Sequence, residues 1–461
     1  MARAKKETAL TPEERLQAAL VPDWEWPYKL PENWCWTGLK NITTLLNGDR
    51  GVNYPSKKDY LPDGIPFINA GAIVDGVLDC REFYFISKQK YDSLRAGKVK
   101  QNDILYCLRG SLGKTAIVDF DGDGAISSSL CILRVNEATL AEYLYYLLNS
   151  EVISQQQDIA ENGSAQPNLS AASVMQYSVP LPPLAEQQRI VDRIESLFAK
   201  LDEAKEKAQT VLDSFETRKA AILHEAFTGE LTAKWREAHG VGMESWIETE
   251  FRKILDVRDG THDSPQYYEH GYPLVTSKNL KNGIITDKDL KYISKDDYEQ
   301  INMRSKVEIG DILFAMIGTI GNPVVISEEP KFAIKNVALF KNIGKANPYF
   351  VRYFLETKQV RNKMQRDAKG STQKFVPLGY LRSYKIHMPN NDEQVEIVRI
   401  LDELFAKGQQ AKESAEDVLD RIDLMKKSIL VRAFRGELGT NDPTDEPAIE
   451  ILKRTMQQER K

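Results

Sequence analysis

Cysteine is scarce. The 461 residues hold four, Cys35, Cys80, Cys107 and Cys131, with no CxxC pair and no histidine cluster beside them. That pattern excludes a zinc-ligand framework or a disulfide scaffold and leaves free thiols in a reducing compartment. Histidine is nearly as rare, at five residues, and no HExxH occurs, so metalloenzyme chemistry has little to stand on. No apolar run approaches the ~20 residues that span a bilayer. The opening MARAKKETALTPEERL has charges but no apolar core behind them, so it does not read as a secretory signal, and a cytoplasmic location is expected. A large excess of one charge is also missing. The net charge is -5, which by itself points neither to nucleic acid nor to a membrane surface. What is present is length: more chain than one hydrophobic core accommodates, enough for two to four domains.

An internal repeat dominates the chain. Residues 186–232 and 393–439 align without a gap at an offset of 207 and share 23 of 47 positions. The repeat extends upstream. Gly64-Ile-Pro66 matches Gly271-Tyr-Pro273, and NDILYCLRGSLG (102–113) matches GDILFAMIGTIG (310–321). The period is far longer than a solenoid's and marks a duplicated domain, which can imitate a two-fold homodimer. Each copy is a globular domain followed by a long helix.

The helical blocks carry apolar stripes. Ile190, Ile194, Leu197, Leu201, Ala204, Ala208, Val211 and Phe215 are spaced alternately four and three apart, and Ile397 to Ile422 repeat the pattern. Such a/d spacing predicts two helices, each on the order of 60 Å long at about 1.5 Å per residue. Each is the other's obvious partner, and the domain between them in sequence favours an antiparallel coiled coil. Proline-rich stops precede both helices and a Gly ends each, at Gly229 and Gly436. The globular parts read as mixed α/β, an α+β fold, with short strands at Asp103–Tyr106 and Asp311–Phe314 and helices at Leu140–Asn149 and Pro348–Gln365. The organisation expected is an N-terminal tail (1–30), a first globular domain (31–183), a first helix (184–232), a second domain (244–389), a second helix (390–439) and a C-terminal tail (440–461). Residues 31–180 hold 13 basic and 17 acidic residues, and 244–388 hold 23 and 18. One duplicated frame with divergent charge suggests two modules that read different things. The loops 47–55 and 259–265 share little, and variable loops on a shared scaffold are where specificity usually sits.

PLAEQQRIVDRIESLFAKLD, the helix ends EAFTGELTAKW and RAFRGELG, the segment GDILFAMIGTIG and the opening DGTHDSP together resemble the specificity subunits of type I restriction-modification systems, from about residue 31 to 439. The resemblance implies two target-recognition domains, each reading one half of a bipartite site in double-stranded DNA. Two helical spacers would pack together and fix the gap between the half-sites. Two methyltransferase subunits would dock on that frame, with S-adenosylmethionine, and restriction subunits would join with ATP and Mg. The chain itself would bind no cofactor. Its two tails would pack together, although neither has a strong copy in the repeat.

Chemistry within the chain is poorly supported. The methyltransferase motif [DNS]PP[YFW] is missing. Gly110-Ser-Leu-Gly-Lys-Thr115 tempts as a phosphate loop, but the first Gly that such a loop needs falls at Leu108, and the copy at Gly318–Pro323 has no lysine. A tight turn fits both copies. The chain therefore reads as a non-catalytic adaptor. Arg and Lys hold phosphates, while Arg, Asn, Gln, Ser and Thr read base edges. On that chemistry the DNA-binding candidates in the first domain are Arg50, Lys57, Lys58, Arg109, Ser111, Lys114, Gln166 and Asn168. In the second they are Thr261, His262, Ser277, Lys278, Asn279, Thr319, Gln373 and Lys374. A scaffold that binds only proteins through its coiled coil is the alternative, and a fused enzyme fragment or a defence regulator built from the same domains is a weaker one.

Overall fold

Short apolar runs separated by Gly, Asn and Asp turns fold as strands, and the two heptad stripes fold as helices. The computed structural model describes residues 11–161, 168–371 and 373–458. Its contacts divide the chain into two units. Unit 1 is Met1–Lys207 with Val418–Lys461, and unit 2 is Ala208–Asp417. The division cuts through both long helices, Leu184–Thr228 and Asn391–Phe434.

Each unit repeats one topology. In unit 1 a four-stranded antiparallel sheet has the order Thr43–Asn47, Leu130–Val135, Ile104–Cys107, Thr115–Ile117. In unit 2 the order is Leu255–Asp259, Val337–Asn342, Ile312–Ala315, Gly321–Val325. A three-stranded sheet accompanies each, made of Tyr84–Ile86, Ile65–Ile68 and Ala125–Ile126 in unit 1 and of Lys291–Ile293, Tyr272–Thr276 and Ala333–Lys335 in unit 2. Small hairpins turn on Asp75-Gly76 and Asn282-Gly283, all four residues at positive φ, as tight two-residue turns require. The central strands Ile104–Cys107 and Ile312–Ala315 are buried on both faces, which explains their unbroken apolar runs. Asp103 and Asp311 precede them, each almost fully buried. Arg134 holds the first through two 2.7 Å bonds, and Lys341 holds the second at 3.0 Å.

The stretch expected as one helix over Pro348–Gln365 is two, Pro348–Glu356 and Lys358–Asp367. They break at Thr357, whose hydroxyl caps the second by accepting from the amide of Val360. Unit 1 has the same pair, Ala141–Leu148 and Glu151–Ala160.

Within each unit, segments of the two long helices run antiparallel. In unit 1, Lys426 bonds Asp202 at 2.6 Å and lies over the Phe198 ring. In unit 2, Lys412 lies over Phe215 and Lys219 over Phe405. The stripe is sealed at Ile190, Ile194, Ile397 and Leu401, all at 0% exposure, but not along its whole length: Val418 is 38% exposed. The small residues in mid-stripe bring little apolar surface to seal.

The Glu-Gln pair that opens both helices is retained in the repeat for a physical reason. Gln187 accepts from Thr139 and from the amide of Leu140, and Gln394 accepts from the amide of Asn347, so each stitches its helix to the preceding domain. Glu393 is fully buried and takes hydrogen bonds from Thr232, Arg236 and Trp246. Glu186, equally buried, accepts from Thr440 and pairs with Arg189. Burial pushes the Glu186 carboxyl up from its ordinary range.

The two tails pack together in unit 1. The amide of Ala448 donates to Asn33 at 3.0 Å, Trp34 Nε1 donates to Asn441, and the helix Pro12–Ala19 lies against Ala448–Gln458.

Candidate nucleic-acid interface

At one end of each four-stranded sheet, the loops from three neighbouring strands converge. In unit 1 the end is marked by the pairs Asn47↔Cys131, Cys107↔Leu130 and Tyr106↔Thr115. From it emerge the long loop after Asn47, the turn Ser127–Ser129 and the glycine turn Leu108–Lys114. They are tied to one another. Gly48 crosses so closely over Ser127 that a Cβ there would lie 2.7 Å from its carbonyl oxygen. The amide of Ser128 donates to the Tyr54 hydroxyl at 3.3 Å, and that of Leu108 donates to the Ser129 carbonyl at 2.9 Å. Asp49, buried, accepts from the amides of Arg95 and Gly51, and those bonds hold its carboxyl below the ordinary range. Arg109 and Asn168 form a bridge, and Arg109 Nε donates to Asn168 Oδ1 at 3.2 Å.

Unit 2 rebuilds the same end with other side chains. The loop after Asp259, the turn ending at Asn336 and the glycine turn Met316–Ile320 converge there. Gly260 crosses the backbone more closely than Gly48, with a Cβ position 2.2 Å from the Ile334 carbonyl. The amide of Gly318 donates to Lys374 at 2.9 Å, and Ile317 bridges Phe375, as Arg109 bridges Asn168 in unit 1. The His262 ring bonds Asn336 Oδ1 at 2.8 Å through Nδ1 and Asp259 Oδ2 at 2.9 Å through Nε2. The Asn336 bond, then Asp259, raises its pKa against the opposing effect of burial. Asn336 is held in the left-handed region at φ 54°. Its amide donates to Thr261 and its carbonyl accepts from Ser277.

The expected contact residues thus sort by position. Arg50, Arg109, Ser111 and Asn168 lie at the sheet end in unit 1. Thr261, His262, Thr319, Gln373 and Lys374 lie there in unit 2, with Arg109, Ser111, His262, Thr319, Gln373 and Lys374 exposed. Lys57 and Lys58 are exposed on a 3-10 turn whose following residues, Tyr60 and Leu61, fasten to the strand Tyr84–Ile86 of the other sheet. Lys114 reaches back to the Ile73 carbonyl at 3.3 Å. Asn279 belongs to the frame: it is 2% exposed and caps its own turn through Thr276, Thr286 and Lys288. Ser277 is tied to Asn336, and Lys278 beside it is exposed. Gln166 lies outside the described residues. The turns Ser127–Ser129 and Lys335–Asn336 were missed, and the only available signal was their place immediately before a matched strand. The glycine turn is tight, with Gly110 and Gly113 both at positive φ. No His, Cys, Asp or Glu group among the described residues could hold a metal.

A duplicated α+β frame that displays two differently furnished loop clusters defines a tandem recognition protein. The chain belongs to the type I restriction modification DNA specificity domain family, which it matches twice, over residues 31–212 and 245–416. It is 25% identical over 438 residues to the type I restriction enzyme EcoKI specificity subunit of Escherichia coli K12, covering 91% of this chain and 92% of that one. To the StySPI specificity subunit of Salmonella potsdam it is 23% identical, with the same coverage. In fold it is similar to the HsdS subunit from Thermoanaerobacter tengcongensis, with a TM-score of 0.68 and 21% identity over 90% of this chain and all of that one.

Proposed function

We propose that this chain is the sequence-reading, non-catalytic subunit of a type I restriction-modification complex. Each unit reads one half of a bipartite DNA site through its sheet end. The chain directs methyltransferase subunits that modify adenine, and restriction subunits that cleave. S-adenosylmethionine, ATP and Mg belong to those partners, and the complex works in the cytoplasm. No helix of the described residues is long and apolar enough to cross a membrane.

The observation that carries the reading is the pair of sheet ends. The frame is held by equivalent glycines and equivalent bridges, while the side chains it displays differ: Arg50 and Ser129 in one, His262 and Asn336 in the other. Membership in the specificity family supplies the substrate class. Phosphate contacts would position each end, and base contacts in the groove would specify.

Methylome sequencing tests it, comparing a host that carries this chain with its cognate methyltransferase subunit and a host with the methyltransferase alone. A two-part methyladenine motif present only with this chain is expected. A soluble complex that produces no new motif would favour the protein-only scaffold.

A further inference from the structure

A cleft in unit 2, about 970 Å³, runs from the glycine turn of the sheet end to the helix pair. Thr319 and Asn322 line it from the glycine turn and the strand that follows, Arg352, Lys358 and Arg361 from the helices Pro348–Glu356 and Lys358–Asp367, and Lys219 and Lys412 from the long helices. Five basic side chains face it against two acidic ones, Glu216 and Glu356. Three of the five already have partners. Arg352 bonds Glu356 at 2.9 Å, Lys219 lies 3.5 Å from Glu356 and over Phe405, and Lys412 covers the Phe215 ring. Lys358 and Arg361 are exposed and form no ion pair among the described residues.

The duplication supplies an internal control. The positions of unit 1 that correspond by sequence offset replace Lys358 with Glu151, Arg361 with Ser154, Gln365 with Asp158 and Arg352 with Tyr145. Over all the lining positions, the counterpart has four basic residues and five acidic ones. The same frame therefore has a cationic cleft in one copy and a slightly anionic surface in the other.

We infer that the unit 2 cleft seats the sugar-phosphate backbone of the DNA next to the half-site read by that unit. This rests on the DNA-reading role proposed above. Three observations favour a nucleic-acid backbone over an acidic protein segment. The cleft is continuous with the reading end through Thr319. Its two aromatic rings on the helix side lie under lysine ammonium groups and offer no apolar seat for a docking helix. Five amide side chains, Asn282, Asn322, Asn362, Gln365 and Gln409, also line it, with the hydroxyls of Thr217 and Thr319, and these groups suit phosphate and sugar oxygens. Unit 2 is then the electrostatic anchor of the protein, and unit 1 binds its half-site with little help from counterion release.

The test measures binding of the full chain to a duplex of scrambled sequence across a salt series. Removing one cation that neutralises a phosphate reduces the slope of log affinity against log salt by about 1. Lys358→Gln with Arg361→Gln is expected to reduce the slope by about 2. Glu151→Lys with Ser154→Arg, which installs the same charges in unit 1, is expected to steepen it. All four sites are on helix surfaces, so the fold tolerates the changes. An unchanged slope in the first variant, with DNA still bound, overturns the backbone seat and leaves the reading role standing. So does an unchanged slope accompanied by loss of the co-purifying methyltransferase, which makes the cleft a protein dock. A wild-type chain, alone or with its methyltransferase, that shows no salt-dependent DNA binding overturns the reading role and this inference together.

Discussion

Unit 1 and unit 2 share a strand order, the crossing glycines Gly48 and Gly260, and buried glutamates at the starts of the long helices. They part company in what they display. All five histidines of the chain fall in unit 2, as does the cationic cleft. The separation is informative because the divergence is not spread evenly. The helix-opening pairs Glu186-Gln187 and Glu393-Gln394 and the crossing glycines are matched across the repeat. Positions that point out of the sheet end or into the cleft are not. A buried polar group without its partner costs more than its hydrogen bond returns, so the frame resists change, while an exposed side chain is nearly neutral to stability and free to follow its ligand.

The largest expected effect probes the buried glutamates. Glu393 pairs with Arg236, whose side chain is only 9% exposed, so Glu393→Ala leaves a buried cation and should destabilise unit 2 by about 3–5 kcal/mol. Arg189, the partner of Glu186, is 36% exposed and also pairs with Asp445, so Glu186→Ala should cost unit 1 about 1–2 kcal/mol. Calorimetry that follows each unfolding transition checks the order, and equal losses would break the comparison. Next come the crossing glycines. Gly260→Ala should destabilise by about 2–3 kcal/mol and Gly48→Ala by about 1–2, because the new methyl meets backbone in both but at 2.2 Å and 2.7 Å. Denaturation midpoints of the two variants decide it.

Half-site assignment sharpens the comparison further. Arg109→Ala with Asn168→Ala should relax bases in one half of the methylation motif only. Thr319→Ala with Lys374→Ala should relax the other half or weaken its binding, and each base pairing removed should cost about 1–3 kcal/mol of discrimination. A double variant that alters both halves would contradict one reader per unit. The smallest effect is the pH response. The His262 pKa is raised above 6.5, so its positive charge is fully present below that pH and is lost as pH rises through the raised value. DNA affinity should therefore fall by about twofold on that rise, and His262→Gln should flatten the profile. Unit 1 has Arg50 at that place and no histidine to titrate.

The repeat was legible because packing constrains it. Ile190, Ile194, Ile397 and Leu401 are sealed, and the turns around Gly113 and Gly321 need positive φ, so identities persist there. The first strands were not legible as copies. Cys35–Gly38 and Ile247–Glu250 stand 212 apart, not 207, and the two segments have little identity beyond the Trp before each, Trp34 and Trp246. Missing that register hid the correspondence of Arg50 with His262. Asn336 escaped because its left-handed backbone is a property of the turn, and its counterpart is a serine. Asn279 looked like a contact because its residue type suits DNA, whereas its own turn buries the side chain.

The two registers meet inside one loop. Gly48 and Gly260 are 212 apart, and Gly64 and Gly271, both at φ 149° with the next strand pressed against them, are 207 apart. The stretch between the glycines is thus five residues longer in unit 1, yet the strands on either side keep their places. Fixed at both ends, such a stretch can gain or lose residues over evolutionary time without a slip propagating into the sheet. A gene built this way can acquire a new recognition sequence by small insertions in one loop, and inherit its architecture unchanged.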